Sequence, residues 1–197
     1  MADTWHTWGA VVLASVAALP LAVLVLLALV AGRRRRGWPA RAAWLRSVAE
    51  VGAVVGTLPW LWMILTPGPV PGRSVNLVPV RELAGQVAGD PGTAVAQIGG
   101  NLLVFAALGA CAPIRWPALA GPVRLFALGA VASVTVEVAQ YLLTIGRVSS
   151  VDDVLLNAAG AVLGGLISHR WWSVSRGGVP CEPSDRTPPG QPAEREV

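Results

Sequence analysis

Lysine is missing altogether, so all 15 basic residues are Arg. Charge of either sign is scarce: 13% of 197 residues are charged, where a soluble domain carries about a quarter. With 54% hydrophobic residues and a mean hydropathy of +0.58, too little polar side chain remains to cover a water-facing surface. That balance excludes a disordered chain and a collagen-like repeat. The two cysteines, Cys111 in an apolar run and Cys181 in a polar tail, exclude a disulfide scaffold, and no Cys/His spacing suits a metal. Nucleophile-elbow, P-loop and zinc signatures are absent, and no internal repeat is visible. What is left is an integral membrane protein.

Five apolar stretches are present, and about 20 residues of helix cross a bilayer core. They run over residues 9–31, 48–66, 98–114, 125–145 and 151–168. The first reads as an uncleaved spanning helix and fits a signal peptide poorly: its leader carries an acid and no Lys or Arg, and the Arg33–Arg36 cluster follows the run. The expected fold class is all-α, a bundle of about five transmembrane helices. The chain divides into an N-terminal helix with an Arg-rich loop (1–47), a main transmembrane domain (48–170) and a disordered tail (171–197).

Cytoplasmic loops are enriched in Lys and Arg. Residues 32–47 hold six Arg, Arg115 and Arg124 flank the next loop on that side, and Arg170 and Arg176 follow the last span. The other side has only Arg73, Arg81 and Arg147. The net charge of +4 thus reports orientation, with the N-terminus outside and the C-terminus in the cytoplasm, and no nucleic-acid partner. In the outer loop, Val80, Leu83, Ala84 and Val87 fall at i, i+3, i+4 and i+7, which predicts a short amphipathic helix.

Ionisable groups within spans are costly and mark candidate sites. Ser133, Glu137, Gln140, Tyr141 and Thr144 share one helical face, with Glu137 near mid-depth. Gln97 and Asn101 are one turn apart, although Gly99 and Gly100 make a cap or turn there an equal reading. Asn157 lies one turn after Asp153. Gly160 and Gly164 form a GxxxG pair suited to close packing, which also allows a homo-oligomer. Between the last two spans, Ser150 with Asp153 has capping-box spacing. Arg147 stands ready to pair with Asp152 or Asp153, or to hold a phosphate or carboxylate. Glu50, four residues after Arg46, reads as a surface pair.

Four stretches carry a resemblance: NLVP at 76–79, NLLVFAALG at 101–109, EVAQ at 137–140 and GRVSSVDDVLLNAAGAVLG at 146–164. In order and spacing, residues 50–168 resemble the VanZ-like family of membrane proteins. The resemblance implies a small helical membrane domain, whose best-known member raises resistance to teicoplanin. Matching positions are Asn76, Pro79, Asn101, Glu137, Gln140, Arg147, Asp152, Asp153, Asn157 and Gly160. The chain departs at Val80, where an aromatic is common, at Ala107, where a Pro is usual, and at Ser150, where an Asp is frequent.

Three functions remain in competition. One is a factor acting at the outer face on lipid-anchored glycopeptides or cell-wall precursors. A second is a membrane-embedded enzyme on a lipid-linked or acylated substrate. In it Glu137 is the acid or base, Arg147 the anion holder, and Asp152 with Asp153 a divalent-cation site. A small-solute transporter comes last. Catalytic candidates are Glu137, Arg147 and Asp153; ligand-binding candidates are Asn76, Asn101, Gln140, Asp152 and Asn157. No resident cofactor or metal is expected, and membrane lipids are the natural partners.

Overall fold

Backbone polar groups in hydrocarbon must bond within their own segment, so long apolar runs form helices. The computed structural model describes residues 2–67, 74–146 and 148–173. Its helices are α1 (Ala2–Arg35), α2 (Ala40–Leu65), α3 (Arg81–Gly89), α4 (Pro91–Val104), α5 (Ala106–Arg115), α6 (Pro122–Leu143) and α7 (Val151–Ser168). Two short strands, β1 (Ser74–Asn76) and β2 (Val148–Ser150), complete the order. Among the described residues, five stretches are long and apolar enough to cross a membrane: Gly9–Arg35, Ala40–Leu65, Gly92–Arg115, Pro122–Leu143 and Val151–Trp171. The protein is a multi-pass, all-α membrane protein, as expected.

Local chemistry sets the helix ends. Gly37, at φ +81°, closes α1, with its N–H donating to the Arg34 carbonyl. Asp90 caps α4, accepting from Gly92 N at 3.0 Å and Thr93 Oγ1 at 2.5 Å, and Pro91 fills the first helical position. α4 therefore begins at Pro91 and the third span at Gly92, earlier than the apolar run suggests. It is also two helices in one: Phe105, buried at φ −113° and ψ 9°, interrupts it. Ala107 occupies the first turn of α5, where a Pro would be tolerated. The amphipathic segment forms α3, but Val80 stays outside it in a left-handed conformation.

α7 is the spine of the bundle. A Cβ at Gly160 would overlap the Leu102 carbonyl, and one at Gly164 the Ala106 carbonyl. Gly109 meets Ala161 in the same way, while Gly129 rests on Ala158 and Ala161. Apolar side chains gain little from leaving lipid, so helices associate through close contact, and small residues permit it. The GxxxG pair is thus engaged inside the chain and offers no face to a second copy. Val104, Phe105 and Ala161 form the buried core, with Trp60, Leu61 and Ile64 of α2 packed against it. α1 packs chiefly on α2.

The bundle has two ends of different character. At one, Glu50 sits between two cations, with Arg33 Nη2 and Arg115 Nε each 2.6 Å from its carboxylate. Glu50 also feels the charge of Arg46, as expected of that pair, and through Arg33 and Arg115 it ties α1, α2 and α5 together. Arg46, Arg115 and Arg170 lie over the rings of Trp38, Trp116 and Trp171 at 5.1, 5.2 and 4.3 Å. At the other end β1 and β2 pair in parallel, Asn76 opposite Ser150. Three-residue strands carry no readable alternation, and the sequence did not announce them.

Candidate functional site

The site is built on the first turns of α7. Ser150 caps that helix, its Oγ accepting from Asp152 N at 3.2 Å. Two carboxylates then fall in the first turn, where the helix dipole favours negative charge. Successive helical residues point about 100° apart, so the two acids serve different neighbours.

Asp152, 6% exposed, reaches α3. Its Oδ1 accepts from Val80 N at 2.5 Å and its Oδ2 from Leu83 N at 3.2 Å. It caps a helix some 70 residues earlier in the chain. Val80 is held there at φ +67°, a costly conformation for a β-branched residue. Asp153 turns to α4, where Asn101 Nδ2 donates to Oδ1 and Gln97 Nε2 lies 3.5 Å from the same oxygen. Gln97 and Asn101 lie mid-helix, so the cap-or-turn reading of Asn101 is set aside. The two acids thus bond to different elements, and no group of three His, Cys, Asp or Glu suited to a metal occurs among the described residues.

Glu137 lines a cavity of about 290 Å³ between β1, α6 and the start of α7. The walls include Val75, Leu77, Val134, Val138 and Val154, and Glu137 supplies the only carboxyl group among the lining residues. Ser149 Oγ donates to the Glu137 carbonyl at 3.2 Å, tying β2 to α6. Of the five residues expected on one face of α6, Ser133 and Gln140 are buried, Tyr141 is 40% exposed and Thr144 ends the helix at φ +52°.

The other expected residues cross-link the helices. Gln140 Nε2 donates to the Ile64 carbonyl at 2.8 Å, joining α6 to the last turn of α2. Asn157 Nδ2 donates to Ser133 Oγ at 2.8 Å, while its Oδ1 is buried without a hydrogen bond among the described residues. Asn76 Oδ1 accepts from Val78 N at 3.2 Å, turning the chain toward α3. Arg147 lies outside the described residues, as does the tail from Val174. The sequence placed these residues at one end; the structure sorts them into separate bonded sets around α7. Gln97, Ser149 and Ser150 join the set: one-turn spacing to Asn101 marked Gln97, capping-box spacing to Asp153 marked Ser150, and no signal marked Ser149.

A family model described as VanZ/LLP1 matches residues 53–172. The chain belongs to the VanZ/LLP1 family. No curated protein and no solved structure matches it. The VanZ/LLP1 match takes in the second half of α2, all of α3 to α7 and every candidate residue from Asn76 to Asn157. α1, the Arg-rich turn and Glu50 precede it. Within this VanZ/LLP1 domain Val80, Ala107 and Ser150 each sit at a structural joint: a strained cap, a helix restart and a helix start.

Proposed function

We propose that this VanZ/LLP1 protein acts at the outer face of the membrane. There it alters how a lipid-anchored glycopeptide such as teicoplanin, or a cell-wall precursor, engages the envelope. Retention of Arg on the cytoplasmic side argues that the Glu50 end faces inward and the α7 start faces outward. The cavity beside Glu137 carries the reading: its valine walls suit an acyl chain, and its carboxyl group can engage a polar head. Teicoplanin has an acyl chain, so a membrane-level site is sensible for it.

Susceptibility of cells with the gene, without it, and with Glu137→Gln, Arg147→Gln or Asp153→Asn tests this, with protein level checked by immunoblot. The teicoplanin response should shift with the gene and fall away in the variants, while vancomycin responds less. An identical change for both drugs, or none, refutes it.

The same cavity also favours a membrane-embedded enzyme on an acylated substrate, with Glu137 as general acid or base. Under that reading Glu137→Gln abolishes the effect and Glu137→Asp retains part of it. A well-folded Glu137→Gln protein with full effect would sink the enzyme.

A further inference from the structure

A second cavity lies well away from these residues, between α1 and α2. It encloses about 520 Å³ and runs from Ala14 to Leu29 on α1 and from Glu50 to Trp62 on α2. Ala14, Ala18 and Ala22 recur every four residues along its α1 wall, and their small side chains open the groove. Many of its larger side chains remain half exposed, among them Leu21 at 64%, Val54 at 54% and Leu58 at 57%. Apart from Ser15 and Glu50, every lining residue is apolar or Trp.

Shape selects the occupant. Fifteen residues of helix rise about 22 Å, so the groove is a long slot only about 8 Å across, a water radius included on each side. A second helix, about 10 Å across, cannot enter such a slot. An extended hydrocarbon chain can.

Charge selects the head group. Arg33 follows Leu29 by one turn, on the face of α1 that forms the groove. There it meets Glu50, which lines the end of the groove, and Arg115 holds the other carboxylate oxygen. Two guanidinium groups around one carboxylate leave the mouth net positive. Arg34, Arg35, Arg36 and Arg41, at the end of α1 and the start of α2, are exposed. Guanidinium groups bind phosphate through paired N–H donors, and basic pockets between spans suit anionic head groups.

We propose that this groove is a binding site for an anionic phospholipid, with one acyl chain between α1 and α2 and its phosphate at the Arg33–Arg115 mouth. The site lies largely outside the matched family domain and is independent of the outer-face function.

Native mass spectrometry of the full chain tests it, with phosphatidylglycerol and phosphatidylcholine as probes. One phosphatidylglycerol per chain should survive detergent, with at least a tenfold preference over phosphatidylcholine. Ala18→Leu with Ala22→Leu fills the slot and should cut retention at least tenfold. Should that variant fail to fold, Arg35→Gln with Arg36→Gln touches only exposed side chains and should weaken retention about fivefold per Arg removed. Equal retention of both lipids, or undiminished phosphatidylglycerol in a folded variant, overturns the site. A chain-to-chain crosslink through the groove would do the same.

Discussion

The two ends of the bundle hold their carboxylates in opposite ways. At the Arg-rich end Glu50 is gripped by two cations from two other helices. At the α7 start, Asp152 accepts from backbone N–H groups and Asp153 from side-chain amides. Ion pairing of the first kind is strong in a low dielectric, yet removal of one partner strands the others. Amide bonding of the second kind orders neighbouring segments without cancelling the negative charge. One end is therefore built as a brace, and the other keeps its acids placed on defined neighbours.

Glu50→Ala should break this contrast most severely. It strands Arg33 and Arg115, whose side chains are 15% and 37% exposed, and should cost about 2–3 kcal/mol, less than a fully buried pair. Thermal unfolding in detergent reads the loss. Asp153→Ala leaves Asn101 and Gln97 without that acceptor and should cost about 1–2 kcal/mol in the same assay. A larger loss for Asp153 than for Glu50 would reverse the assignment of brace and site.

Asp152→Ala sharpens the contrast locally. Loss of a cap costs about 1 kcal/mol, so amide exchange across residues 81–89 should quicken while global melting moves little. Val80→Gly works in the other direction, since glycine adopts a positive φ freely; relief of strain should stabilise the protein by up to about 1 kcal/mol. No gain in melting temperature would mean that Val80 carries no strain.

The smallest effect is at Asp90. Its bonds from the Thr93 hydroxyl and then from Gly92 N–H hold its carboxyl below the usual carboxylate range. A depressed folded value means the cap's contribution is complete above the unfolded value and is lost as pH falls through the folded one. Exchange at residues 92–94 should therefore rise only in strong acid, and Asp90→Ala should remove that dependence.

The spans and the amphipathic segment were legible because hydropathy and helical period are local. Glu137, Asp152, Asp153 and Asn101 stood out as costly polar groups in apolar surroundings. Their partners did not. Asp152 caps α3 from across the chain, Gln140 reaches an α2 carbonyl, and Glu50 binds Arg33 and Arg115 of two other helices. The Phe105 break was also hidden, since neither proline nor glycine stands at that position.

The sequence alone determined a five-span helical membrane protein, a member of its family, with Glu137, Asp152 and Asp153 gathered toward one end. Composition settles this, because hydrocarbon permits only internally bonded backbone and tolerates few charges. Only the tertiary structure decided which donor each acid holds and where the two cavities open. Those follow from glycine contacts along α7 and alanine spacing along α1, which set how near each pair of helices may come.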